Sequence, residues 1–190
     1  MDNLKILDCS LRDGGYYNKW DFSEKFINNY IKNISNLPFD FVEIGYVSAN
    51  GNEYFGQIRY IDKHLIDKCK ELGIKVAVMI DVKSIDNNLI AKINSIKNDV
   101  DLFRFTVNYN MLNESLNKIF NLKLPKEKIA INLMYLSRWI NDEDFLNKIS
   151  KIEKVKYLYL VDSYGSVFPD DVAKVFKFLS SNIKDISLGF

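Results

Sequence analysis

Histidine occurs once, at His64, and cysteine twice, at Cys9 and Cys69, in a chain of 190 residues. The cysteines lie far apart and match no zinc or redox spacing. Such usage suits a reducing compartment, and a cytoplasmic location is expected. The start, Met1-Asp2-Asn3-Leu4, has neither a basic n-region nor an apolar h-region. No apolar run approaches the ~20 residues of a membrane span, so no membrane partner is expected. Neither charge sign dominates: 26 basic and 25 acidic residues leave a net charge of +1. Without a basic stripe, nucleic acid is not an expected partner. Lys-rich stretches such as Lys148 to Lys156 alternate with Glu and apolar residues and read as solvated helix faces. No low-complexity segment or long linker appears, and the length fits one domain over residues 1–190.

What the chain does have is apolar and aromatic bulk. The hydrophobic fraction is 47%, with thirteen Phe and eleven Tyr, enough for a core that is partly aromatic. Apolar, β-branched runs recur at Leu4–Asp8, Asp40–Tyr46, Ile74–Asp81, Val100–Val107, Lys128–Met134, Val155–Val161 and Asp185–Phe190. Their spacing, about 26 to 36 residues, is that of a βα unit. Each run is apolar on both alternating faces, as in a parallel sheet covered on both sides. Helical patterns fill the gaps: Glu24–Ile34 behind an N-cap at Ser23, Ile58–Leu72 closed by Gly73, Ile85–Ile96, Met111–Leu122, Asp142–Ile149 and Asp170–Leu179 with Pro169 at its first position.

This alternation allows a barrel or an open doubly wound sheet. The turn after the first strand, Arg12-Asp13-Gly14-Gly15, lacks the GxGxxG spacing of a nucleotide loop. Strand ends instead gather Asp8, Asp81, Asn108 and Asp162, and the C-terminal ends of strands are where barrel enzymes place their chemistry. The expected fold is α/β: an incomplete (β/α)8 barrel with about six βα units and a seventh strand. A single carboxylate at a strand end is equally what a helix cap or a loop ion pair needs, so the weight falls on several converging.

The segment Leu7 to Gly15 is the most informative. A short strand is expected to end in a loop carrying Arg12 beside Asp13, a fixed positive charge next to a potential metal ligand. Glu43 sits inside the second strand, where Phe41, Glu43 and Gly45 alternate with Val42, Ile44 and Tyr46. A buried carboxylate there needs a partner, and Arg12, one strand over, is the natural one. Glu43 then orients Arg12 rather than acting as a base.

Three elements in register resemble the DRE-TIM metallolyases, the aldolase and Claisen-condensing group that includes HMG-CoA lyase, isopropylmalate synthase and 4-hydroxy-2-oxovalerate aldolase. They are Leu11-Arg12-Asp13-Gly14, Phe41-Val42-Glu43-Ile44-Gly45, and Val161-Asp162-Ser163-Tyr164-Gly165 followed by Pro169. The resemblance implies a carbon–carbon lyase or condensing enzyme acting on a 2-oxo acid or acyl substrate through an enolate. It implies a divalent cation, Mn2+ or Mg2+, with Asp13 as a ligand and Arg12 stabilising the enolate. It further implies that Ser163, with Asp162, touches substrate or metal-bound water.

Two departures qualify it. Where the hydroxy-oxovalerate aldolases place a His base, three residues after the Asp, this chain has Tyr16, which serves as acid or base only with a lowered pKa and otherwise lines the pocket. The family's His-x-His metal pair belongs directly after Phe190, and His64 lies in a helix, expected to be exposed. The chain is therefore expected to be the N-terminal portion of a barrel of about 250 residues. Metal binding by this portion alone is expected to be weak or absent, as is its activity. Open strand edges would favour a homo-oligomer. Two other readings stand: a Schiff-base aldolase, for which Lys83 and Lys19 are the placed lysines, and a truncated barrel without turnover.

Overall fold

The computed structural model describes residues 4–48 and 53–190. The elements run β1 (Leu7–Asp8), α1 (Ser10–Gly14), α2 (Glu24–Ile34), β2 (Phe41–Tyr46), α3 (Lys63–Glu71), β3 (Val76–Asp81), α4 (Asn87–Ile96), β4 (Leu102–Asn108), α5 (Leu112–Asn121), β5 (Ile129–Met134), α6 (Leu136–Trp139), α7 (Glu143–Ile149), β6 (Tyr157–Leu160), α8 (Pro169–Asn182) and β7 (Ser187–Gly189). The strands form one seven-stranded sheet in sequence order. The pairs β1–β2, β2–β3, β5–β6 and β6–β7 are parallel. This is an incomplete α/β barrel-type fold. By its contacts the chain divides into two units, residues 1–103 and 104–190.

In the first unit, Val76 to Ile80 are all buried, so β3 is covered on both faces. Ile27, Ile31 and Ile34 of α2, Leu65, Ile66 and Cys69 of α3, and Leu89, Ile93 and Ile96 of α4 supply the helical side of this core. In the second unit Phe105, Ile131, Leu133, Leu158 and Leu160 are buried beside Ile119, Ile149 and Leu179. One device starts four helices. Ser23, Asp62, Asp86 and Asp142 each accept the backbone N–H three residues on, at 2.8–3.2 Å.

Several boundaries differ from the sequence pattern for local reasons. The first strand is two residues, not Leu4–Asp8: β2 offers partners only from Phe41, which pairs with Leu7, and Leu4 is 86% exposed. Arg12 and Asp13 sit on the one-turn helix α1, not in a loop. Helix α3 starts at Lys63 because Asp62 caps it, while Gln57–Arg59 form a separate 3-10 turn. Helix α6 has no counterpart in the sequence reading. It follows Tyr135, whose φ of 64° turns the chain directly out of β5.

Strand β2 breaks its own alternation. Glu43 pairs with Ala77, yet Tyr46 pairs with Met79, so three residues of β2 face two of β3. The bulge forms at Gly45, with φ of 154°, where an added Cβ would lie 2.2 Å from the Ile58 carbonyl oxygen. Tyr46 is thereby brought onto the Glu43 side of the strand.

Candidate active site

The first unit assembles its polar chemistry at the C-terminal ends of β1 and β2. Arg12 and Glu43 are buried, at 9% and 0% exposure. Arg12 donates from Nε to Glu43 Oε1 at 2.5 Å and from Nη1 to Asp13 Oδ1. Burial alone would lower the guanidinium's pKa. The charge and hydrogen bond of Glu43, joined by Tyr46 and Asp13, outweigh it and raise the pKa, so Arg12 is a permanent cation. Its Nη2 makes no hydrogen bond among the described residues. Asp13, with a side chain 55% exposed, faces outward from this pair.

Tyr16 and Tyr46 share a hydroxyl–hydroxyl hydrogen bond of 2.7 Å. Tyr46 is held above the ordinary tyrosine pKa by burial first and by this hydrogen bond second, against the opposing charges of Arg12 and Arg59. The Tyr46 ring carries two guanidinium carbons, Arg59 at 4.1 Å and Arg12 at 5.9 Å from its centroid. Trp20 packs edge-on against Tyr16, Tyr46 and Phe55, and its Nε1 donates to the Arg12 carbonyl at 2.8 Å. To seat this ring, Lys19 and Trp20 adopt φ of 57° and 58°, a conformation uncommon for bulky residues. Gly15 and Gly56 make the room: a Cβ on Gly15 would meet the Trp20 ring at 1.9 Å, and one on Gly56 the Trp20 carbonyl at 2.1 Å.

The other polar strand ends serve the backbone locally. Asp8 accepts from Ser10 N at 3.1 Å and Ser10 Oγ at 2.8 Å, and from the Tyr30 hydroxyl. Burial first, then this carboxylate, raises the Tyr30 pKa. Asp81 and Asn108 each accept the N–H two residues on, an Asx turn repeated at the ends of β3 and β4. In the second unit, Asp162 Oδ2 accepts from Val167 N at 2.9 Å, while its Oδ1 is buried without a hydrogen bond among the described residues. Ser163 Oγ accepts from Tyr135 N at 3.0 Å, bracing the left-handed corner after β5. Asp162 and Ser163 thus lie in a different unit from Arg12, Asp13, Tyr16 and Glu43. Lys83 and Lys19 are both exposed, unlike the desolvated lysine of a Schiff-base enzyme. His64 is exposed on α3.

Among the described residues, no three His, Cys, Asp or Glu side chains gather around a common point. Among the described residues, Asp13 alone offers an accessible carboxylate beside Arg12, and a divalent cation takes several ligands. The described residues alone do not fit such an ion. The sequence reading missed Tyr46, Arg59, Trp20 and Phe55. Period-two alternation placed Tyr46 on the face opposite Glu43, and only Gly45 in mid-strand signalled a bulge.

No protein-family model and no curated protein matches the chain. Among solved structures it is similar to the N-terminal domain of a "putative aldolase" from Bacteroides vulgatus, with 30% sequence identity and a TM-score of 0.87. That match covers 98% of this chain and 63% of the other, so the chain spans less than two thirds of its neighbour. A GH18 chitinase from Pseudoalteromonas aurantia is similar in fold alone, at 13% identity, a TM-score of 0.54, and coverage of 97% and 77%. No helix among the described residues is long and apolar enough to cross a membrane. The chain has an aldolase-like α/β barrel fold and shares it with an enzyme-like neighbour.

Proposed function

We propose that this chain carries part of the active site of an aldolase-type enzyme that cleaves or forms a carbon–carbon bond next to a 2-oxo acid or acyl carbonyl. One observation carries the reading: a buried, permanently charged Arg12, fixed by Glu43, with Nη2 left for an oxygen outside the described residues. In cleavage, the β-hydroxyl gives its proton to a base as its oxygen becomes a carbonyl. The carbon–carbon bond breaks, and its electron pair moves onto the α-carbon and carbonyl oxygen as an enolate. A guanidinium held rigidly at that oxygen stabilises the charge as it develops, because its orientation is already set by Glu43. Protonation at carbon completes the reaction, and condensation is the same path reversed. Tyr16, hydrogen-bonded to Tyr46, is the candidate proton carrier beside Arg12.

The finer assignment to the metallolyases rests on the three sequence motifs, as does the Mn2+ or Mg2+ they imply. In that reading Asp13 is one ligand, and Asp162 and Ser163 contact substrate. The test, on a version of the chain extended to the complete barrel, is cleavage of 4-hydroxy-2-oxo acids, measured as pyruvate release with Mg2+ or Mn2+ and again with EDTA. Cleavage lost with EDTA and in Asp13→Ala is expected. Cleavage that survives both removes the metal and Asp13 from the reading. A stable adduct with pyruvate after borohydride reduction would replace it with Schiff-base chemistry at a lysine such as Lys83.

A further inference from the structure

Arg59 is not explained by stabilisation of an enolate at Arg12. It closes the 3-10 turn Gln57–Arg59, and its side chain returns to the aromatic cluster after β2. Its guanidinium carbon lies 4.1 Å from the centroid of Tyr46, 5.1 Å from Trp20 and 5.8 Å from Phe55. It makes no ion pair among the described residues and is half-buried. The turn that carries it is fixed at both sides. Gly56 N donates to the Lys19 carbonyl at 2.8 Å, Arg59 N donates to the Gly56 carbonyl at 3.0 Å, and the chain at Gly56 passes too close to Trp20 for any side chain.

A guanidinium against ring faces has its charge partly compensated by the π-systems, yet its in-plane N–H groups still need acceptors. Those groups form a fork that matches a carboxylate. Arg12 approaches the same ring at 5.9 Å, so the two guanidinium carbons lie within about 10 Å of each other. Arg12 is occupied by Glu43 and Asp13 on two of its three nitrogens. Among the described residues, Arg59 has no such carboxylate.

We propose that Arg59 is a specificity residue that binds a carboxylate of the substrate, with Tyr46 as the platform that holds it beside Arg12. This rests on the function proposed above and narrows it: of the two substrates named there, the anionic oxo acid is taken and a neutral carbonyl compound is not. Arg59 thus selects the substrate by charge, while Arg12 meets the oxygen on which charge develops.

Trp20, next to Arg59, is a built-in reporter. The test titrates the whole chain with pyruvate, and separately with neutral pyruvamide, following tryptophan fluorescence in buffer containing EDTA. Saturable binding of pyruvate, and none of pyruvamide at the same concentrations, is expected. Arg59→Gln is expected to weaken pyruvate binding by about tenfold or more, and Arg59→Lys by less, because the charge remains while the fork is lost. Circular dichroism of both variants checks the fold. If Arg59→Gln unfolds the chain, Arg59→Lys carries the test. The inference is overturned if neither ligand binds, if both bind alike, or if the folded variants bind pyruvate as the wild type does. In the last case, loss of binding in Arg12→Lys alone would leave the proposed function standing without Arg59.

Discussion

At the residue scale, Arg12 and Glu43 act as one unit. A buried ion pair contributes little net stability, but removing one partner strands the other charge. Glu43→Ala is therefore expected to lower stability by about 3–5 kcal/mol in urea unfolding. Replacing both residues by apolar ones, as in Arg12→Met with Glu43→Leu, is expected to restore most of that loss while abolishing activity. A stable Glu43→Ala would show that Arg12 does not depend on it. Cys69 gives a second residue-scale prediction. Buried in α3, its thiol is pushed up to about 12 by loss of solvent. The folded pKa lies above the unfolded value, so its contribution to stability is fully present below about pH 9 and is lost as the pH rises toward 12. Thiol reagents at neutral pH are expected to modify half-buried Cys9 and leave Cys69 until the chain unfolds.

At the element scale, the determining feature is the bulge in β2. It turns Tyr46 toward Arg12 and gives Arg59 its platform. Gly45→Ala is expected to cost about 2 kcal/mol or more, since it adds a Cβ against the Ile58 carbonyl in a backbone conformation that resists side chains. Trp20→Ala is expected to cost about 3–5 kcal/mol and to loosen the 14–22 segment, because it removes a buried indole and its hydrogen bond to Arg12. Thermal melts of the two variants check both values.

These elements also show what the sequence could and could not disclose. Helix α2 matches its pattern from Glu24 to Ile34 because one residue, Ser23, both stops the loop and caps the first turn. The pairing of Arg12 with Glu43 was legible because a charge inside an apolar strand requires a partner, and few were available. The cluster of Tyr46, Arg59, Trp20 and Phe55 was not. It depends on one irregular residue and two left-handed ones, and neither leaves a periodic trace. The strand-end residues Asp81, Asn108 and Asp162 looked alike in sequence, and all three accept backbone N–H groups in local turns.

At the scale of the whole molecule, seven strands in sequence order, interleaved with helices, give an aldolase-like barrel fold. The chain supplies a rigid cation, a carboxylate beside it and a tyrosine pair, all within residues 12–46. The central claim is that Arg12, braced by Glu43, stabilises an enolate oxygen. The measurement that tests it most directly is exchange of the methyl protons of pyruvate for deuterium, followed by proton NMR, with Mg2+ present. On a version of the chain extended to the complete barrel, the wild type is expected to catalyse exchange, and Arg12→Gln is expected to lose it by about a hundredfold or more, the scale of one oxyanion-stabilising donor. Exchange at the wild-type rate in a folded Arg12→Gln variant would contradict the account.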